Sequence, residues 1–206
     1  GTVSIREALG NSLNVPAVKA LAAVGPGRLV GRFRRAGIAP QFPRNTEPSL
    51  AVALGGVGVT LKDLAALYTA LARGGDPIPL VWRHSDVTGD ATEASAAPAA
   101  ADHVRNRLLT PVAAWYVTDI LKDAPPPPNT KGGAIAYKTG TSYGYRDAWA
   151  VGYDGRHVVA VWVGRPDAAA TPGLMGRLAA APILYDTFAR ISERRAPFAS
   201  APASAI

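Results

Sequence analysis

The feature that most constrains the fold is a change of hydrophobic period in the second half of the chain. Earlier, apolar residues recur at helical spacing, most clearly over 60–75. Later, residues 134–141, 147–153 and 157–164 read as three short strands. Asp154-Gly155, between the last two strands, is typical of a tight hairpin. The third strand is apolar throughout, so we expect it to be buried on both faces.

Helix start and stop signals divide the rest of the chain. Ser4 followed by Glu7 forms a capping box, and Asn14 looks like a second N-cap ahead of Pro16. Thr60 caps the clearest helix, which ends at a Gly-Gly pair. Further helices are predicted over 27–36, 110–123 and 182–195.

The remaining segments read as connections. Residues 76–83 suggest an extended stretch, 89–102 a mobile surface loop, and 125–128 a stiff polyproline spacer. Residues 196–206 have the Ala/Pro/Ser composition of a linker leaving the domain. Helices, an antiparallel meander and a closing helix predict one α+β domain over 1–195.

Composition excludes several classes of function. The chain has 22 basic and 15 acidic side chains, three His and no Cys, and no apolar run longer than six residues. A membrane helix needs about 20 apolar residues, and a thiol nucleophile needs a Cys. The His residues lack metal-ligand spacing, so we expect no metal and no cofactor. The net charge of +7 is scattered along the chain, which argues against a nucleic-acid partner.

Residues 140–144 fit the G-x-S-x-G pattern of the hydrolase nucleophile elbow. That elbow requires a strand before the serine and a helix after it. Here a strand follows Ser142, and the only later histidine, His157, lies just past the hairpin turn. We therefore interpret the pattern as a coincidence.

A second pattern fits its context better. Lys138-Thr139-Gly140 is one of three elements of the penicillin-recognising serine acyltransferases, beside S-x-x-K and S-x-N. It falls on a predicted strand, where Gly140 would allow a ligand backbone to come close. Ser12-Leu13-Asn14 supplies an S-x-N sequence upstream, at a junction between two predicted helices.

Longer stretches around these motifs resemble class A, or bifunctional, penicillin-binding proteins. They are REALGNSLNVPAVKAL, AVALGGVGVTLKDLAALYTALARGG and KTGTSYGYRDAWAVGYDGRHVVAVWVGRPD. The segment SYGYRDAW is most similar to the 1C type of this family. The resemblance runs from about residue 4 to residue 195. It implies the C-terminal part of a transpeptidase domain, with helices packed on an antiparallel sheet.

The resemblance also implies roles for individual residues. Ser12 would pass protons near the nucleophile, and Asn14 would hold the acyl side chain. Lys138 would support the proton transfer and attract the substrate carboxylate. The hydroxyls of Thr139 and Thr141 would bind that carboxylate, while the Thr141 N–H would form half of an oxyanion hole. The ligands implied are the D-Ala-D-Ala end of a peptidoglycan stem peptide and β-lactams.

No Ser or Thr in the chain has Lys three positions later, so the S-x-x-K nucleophile is expected before Gly1. By the same resemblance, a glycosyltransferase domain and a membrane anchor would precede it, and the parent would act on the periplasmic face of the inner membrane. Two alternatives stay open at this point. One is a hydrolytic relative, a D,D-carboxypeptidase or β-lactamase. The other is a basic binding module without catalysis.

Overall fold

The architecture is known from a computed structural model that describes residues 1–78, 80, 106–130, 133–191 and 194–205. The loop predicted over 89–102 lies outside these ranges. The stretch predicted as extended over 76–83 is described only at 76–78 and 80, where it has no regular secondary structure.

Three helices open the chain: α1 (Ile5–Gly10), α2 (Asn14–Val24) and α3 (Pro26–Arg35). The capping box of Ser4 and Glu7 is confirmed at the start of α1. The prediction that Asn14 is an N-cap is wrong. Leu13 holds the extended cap position, and Asn14 is already the first helical residue. The chain reverses at Ser12, which moves the start of α2 one residue towards the N-terminus.

Two further helices pack on the sheet. A short 3-10 helix (Leu50–Leu54) precedes α4 (Leu61–Ala72), and α5 (Pro111–Leu121) follows later in the chain. Thr60 caps α4 as predicted, and its capping box is completed by Asp63, whose carboxylate accepts the Thr60 N–H. Such caps satisfy N–H groups that the first helical turn leaves unpaired.

The sheet has three antiparallel strands in the order β1 (Ala136–Thr141), β2 (Asp147–Tyr153) and β3 (Val158–Gly164). The register places Lys138 opposite Val151 on the central strand. Ser142 lies in the turn between β1 and β2, so a strand follows it, as the sequence predicted. Since β1 is first in the order, its outer edge is unpaired in the described part of the chain.

Each face of the sheet packs on different helices. Tyr137, Ala148 and Val159 point towards the closing helix α6 (Ala181–Ile191), whose Leu184 and Phe188 are buried against them. Ala136 and Tyr153 point the other way, towards α1, α4 and α5. The sheet is thus a middle layer between helices, which confirms the α+β class.

The prediction that β3 is buried on both faces is wrong. Val159 is its only fully buried residue, and Trp162 is 37% exposed. The residues that alternate with Val159 pack against α6, but the opposite face of β3 is only partly covered by α4. An apolar sequence favours a strand, but it does not ensure that other elements of the fold cover both faces of that strand.

The C-terminal region departs from its predicted outline. A π-helix (Gly176–Ala180) leads directly into α6 (Ala181–Ile191), and residue 194 lies in a bend, so the helix does not reach the predicted residue 195. Several residues of the following segment contact the domain. The N–H of Ala196 donates to Asp154, the ring of Phe198 packs on Tyr153, and the carbonyl of Ala205 accepts a hydrogen bond from Tyr116.

Candidate active site

Two residues that lie 126 positions apart in sequence meet at the edge of the sheet. The Nζ of Lys138 on β1 donates to the Oγ of Ser12 at 2.6 Å. The same ammonium donates to the carbonyl of Thr139 at 2.9 Å. The structure thus brings together the lysine of the K-T-G motif and the serine of the S-x-N motif.

The position of Ser12 depends on how α1 is anchored. Arg6 on α1 forms ion pairs with Asp119 and Asp123 at the end of α5, the second at 3.1 Å. After α1, the Leu13 N–H returns to the carbonyl of Ala8 at 2.9 Å and closes a tight reversal. These contacts fix the α1–α2 loop beside β1, where the serine hydroxyl reaches the lysine.

Ser12 has a left-handed backbone, with φ of 57°. An L-residue other than Gly, Asn or Asp adopts this conformation at a cost of about 1–2 kcal/mol. The surrounding fold must supply that energy, and strained residues of this kind concentrate at functional sites. Glycine would fit the turn more easily but would offer no hydroxyl to Lys138.

Lys138 is half-buried, and this changes its acidity. Burial lowers the pKa of its ammonium below the ordinary value of 10.5, because the charged form is less well solvated. A lysine with a lowered pKa releases its proton more readily. The 2.6 Å contact places this group within hydrogen-bond reach of the Ser12 hydroxyl.

A cleft of about 330 Å³ opens beside this pair, along the edge of β1. Ser12, Lys138 and Thr139 line one part of it. Tyr137 and Arg177 also line it, together with two residues that follow α5. Its described lining contains no acidic residue, so the cleft is suited to an anionic ligand.

The threonines of the KTGT strand lie on the face opposite to Lys138, because side chains alternate along a strand. Thr139 lines the cleft. The hydroxyl oxygen of Thr141, which is exposed, accepts the N–H of Gly176 at 3.0 Å, which leaves the Thr141 hydroxyl hydrogen free to donate.

Gly140 is not required by packing within the described residues. A Cβ at this position would meet the Trp149 Cβ at 3.6 Å, an ordinary contact distance. Gly176, by contrast, is required. A Cβ there would lie 2.3 Å from the carbonyl oxygen of Gly140. The absence of a side chain at Gly176 allows the π-helix to press directly on the KTGT strand.

Not every predicted residue joins the cluster. Asn14 is exposed on the first turn of α2, outside the cleft lining, and its side chain makes no hydrogen bond within the described residues. Ser142 accepts the Asp147 N–H at 2.8 Å in the β1–β2 turn. The described ranges contain no group of three His, Asp or Glu side chains that could hold a metal ion.

Arg177, Tyr137 and Pro125 line the cleft, although no motif in the sequence identifies them. Arg177 belongs to no motif, and Tyr137 reads only as a strand residue. Pro125 belongs to the predicted spacer, yet its carbonyl accepts hydrogen bonds from both Arg177 and Tyr137. The proline run prevents α5 from continuing. It is the one local signal in the sequence that a turn begins at this point, next to β1.

No family model matches the chain. It is 39% identical over 188 residues to penicillin-binding protein 1C of Escherichia coli K12, covering 89% of this chain and 22% of that protein. It is 30% identical over 176 residues to penicillin-binding protein 1B of Vibrio cholerae, covering 81% of this chain and 22% of that protein. The chain thus spans less than a quarter of the length of these relatives.

Solved structures share the fold. The chain matches the penicillin-binding protein PonA1 of Mycobacterium tuberculosis with a TM-score of 0.71 and 22% identity, over 98% of this chain and 60% of that chain. It matches penicillin-binding protein 1A of Haemophilus influenzae with a TM-score of 0.68 and 21% identity, over 97% of this chain and 36% of that chain.

The fold and the sequence relatives agree: the chain belongs to the penicillin-binding proteins and has the α+β fold of their transpeptidase-like domains. Within them it corresponds to a section of a class A protein. The 39% identity to the 1C protein exceeds the 30% to the 1B protein, in agreement with the 1C-type resemblance. Within the described ranges, every helix is too short or too polar to span a bilayer.

Proposed function

We propose that this chain supplies the Ser12 and KTGT part of a serine D,D-transpeptidase site, in a parent protein that cross-links peptidoglycan. The observation that carries the proposal is the 2.6 Å contact between Lys138 Nζ and Ser12 Oγ beside the free edge of β1. Lysine and serine at this distance form a proton-transfer pair. The pair lies in a cleft whose described lining has no acidic residue, which suits a substrate with a terminal carboxylate.

The nucleophile in this proposal is the serine of an S-x-x-K segment that precedes residue 1 in the parent protein. Its Oγ attacks the carbonyl carbon of the penultimate D-Ala, and the C–N bond to the last D-Ala breaks. The proton from the nucleophile reaches the leaving amine through Ser12, while the Lys138 ammonium stabilises the transfer. An acceptor amine then attacks the acyl ester, forms a new amide and returns the proton to the serine.

Substrate binding in the proposal uses the edge of β1. An extended peptide can pair with an unpaired strand edge and so align its reacting carbonyl. The carboxylate end would lie near Lys138 and Thr139, and the free hydroxyl hydrogen of Thr141 would add a donor. The Thr141 N–H would serve as one half of the oxyanion hole. Gly140 then serves the ligand, since no described neighbour requires a glycine there.

The partners follow from the same chemistry. A β-lactam mimics the D-Ala-D-Ala end, and the PonA1 protein of similar fold has been solved in complex with penicillin V. We infer that the parent is acylated by β-lactams and acts outside the cytoplasmic membrane. By the same reasoning, an N-terminal anchor and a glycosyltransferase domain belong to the parent, outside residues 1–206.

The test is acylation of the full-length parent by a fluorescent penicillin, followed by analysis of the products from a D-Ala-D-Ala peptide. Cross-linked product supports the proposal. Released D-Ala without cross-links would make the enzyme a carboxypeptidase instead. No acylation at all would refute the proposal. The isolated 206 residues should gain no penicilloyl mass, because the nucleophile lies elsewhere. A stoichiometric adduct on them would contradict the placement of the nucleophile.

A further inference from the structure

We propose that Arg177 is a second carboxylate-binding residue of this cleft and that it selects acyl acceptors which carry a carboxylate. This inference rests on the proposed function, because it assigns the acceptor side of the same site. It adds a specificity residue that lies outside the S-x-N and KTGT motifs.

Arg177 lines the cleft together with Ser12 and Lys138, and its side chain is exposed to solvent. Its Nη1 donates to the carbonyl of Pro125 at 3.0 Å and its Nη2 to the carbonyl of Pro126 at 3.0 Å. Both partners are neutral, so these bonds hold the guanidinium without cancelling its charge. A guanidinium has five N–H groups, which leaves donors for a ligand.

The guanidinium is held in place before any ligand arrives. Tyr137 donates its hydroxyl to the same Pro125 carbonyl, and its ring packs edge-on against Tyr185 at 5.2 Å. An arginine fixed in this way loses little side-chain entropy on binding a carboxylate. Asp123 is not among the residues that line the cleft. Its carboxylate is paired with Arg6 at 3.1 Å and helps to anchor α1.

The location of Arg177 identifies the part of the substrate that it meets. In the proposed mode, the reacting carbonyl lies near Thr141 and the leaving D-Ala extends towards Lys138. Tyr137 precedes Lys138 on β1, and its hydroxyl shares the Pro125 carbonyl with Arg177, so the guanidinium lies on the Tyr137 side of the cleft. An acceptor amine forms its bond at the carbonyl that the leaving amine has just vacated. It therefore approaches through the same region, and a carboxylate next to that amine can reach the guanidinium.

The experiment measures acceptor preference in the full-length parent. A D-Ala-D-Ala peptide is the donor, and glycine and glycinamide compete as acceptors, with transfer products quantified by mass spectrometry. We expect the wild type to prefer glycine. Arg177→Gln should lower the glycine-to-glycinamide ratio about tenfold, since a charge-assisted bond is lost. Arg177→Lys should retain part of the preference, and the exposed control Arg190→Gln should retain all of it.

A further variant separates charge from loop position. Tyr137→Phe removes the hydroxyl that contacts both the Pro125 carbonyl and Arg177 but keeps the guanidinium charge. An equal loss of preference in Tyr137→Phe and Arg177→Gln would overturn the inference, because the guanidinium charge would then not be the cause. An unchanged ratio in Arg177→Gln, with normal penicillin acylation, overturns this inference alone. A wild type that penicillin does not acylate overturns the proposed function and this inference with it.

Discussion

Loss of the Lys138 ammonium or of the Ser12 hydroxyl should disable the same proton transfer. The two groups are 2.6 Å apart, so neither can do its part without the other. A positioned proton-transfer group contributes about 10²–10⁴ in rate. Lys138→Met and Ser12→Ala should each slow acylation of the parent by that factor, or about 3–5 kcal/mol of barrier. Met retains the apolar stem of the half-buried lysine, which limits the loss of packing.

The double variant is the sharper measurement. Residues that act as one unit give non-additive losses, so Lys138→Met with Ser12→Ala should be about as slow as the slower single variant. The assay is the time course of labelling by a fluorescent penicillin, at one pH, on the full-length protein. Lys19→Met, on the exposed surface of α2, is the matched control and should label at the wild-type rate.

Two results would refute this reasoning. If the two losses multiply, the side chains act independently and the contact is not a proton-transfer pair. If Lys138→Met labels at the wild-type rate, the lysine has no role in acylation. Urea unfolding of each variant must accompany the kinetics, so that a loss of fold is not mistaken for a loss of chemistry.

Three further predictions concern stability, each measured by urea unfolding followed by tryptophan fluorescence. Gly176→Ala would place a Cβ 2.3 Å from the Gly140 carbonyl oxygen and should lower the free energy of unfolding by about 1–3 kcal/mol. Gly27→Ala, with no neighbour within 4 Å of the new Cβ, should cost no stability. Equal effects of the two substitutions would contradict the close contact at Gly176. Burial opposes ionisation of Asp154, but three backbone N–H donors outweigh it and hold the pKa of this carboxyl below 3.8. Its stabilisation should be complete at neutral pH and lost as pH falls through that lowered pKa, a loss that Asp154→Asn should not show. Burial lowers the pKa of Lys138, so the unfolded chain binds that proton more tightly. Stability should therefore rise with pH from the lowered pKa up to 10.5, and Lys138→Met should lack this rise.

Local interactions explain what could be predicted. The capping boxes at Ser4 and Thr60 depend on residues three positions apart, and both are present. The three strands were predicted to within two residues at each end, because alternation of side chains is itself a local pattern. The placement of KTGT on a strand follows from the same pattern. The prediction of Asn14 as a cap failed because a left-handed turn at Ser12, closed by the Leu13 N–H on the Ala8 carbonyl, puts Leu13 in the extended cap position.

The sequence by itself thus determined the elements, their order and the motif on β1. The tertiary structure decided what these elements place side by side. Ser12 meets Lys138 at the end of α1, a helix that Arg6 joins to α5 across more than a hundred residues. Arg177 enters the cleft because two proline carbonyls, more than fifty residues earlier, accept its hydrogen bonds. Such pairings leave no period or spacing in the sequence, since their energy depends on distances that exist only once the helices have packed on the sheet.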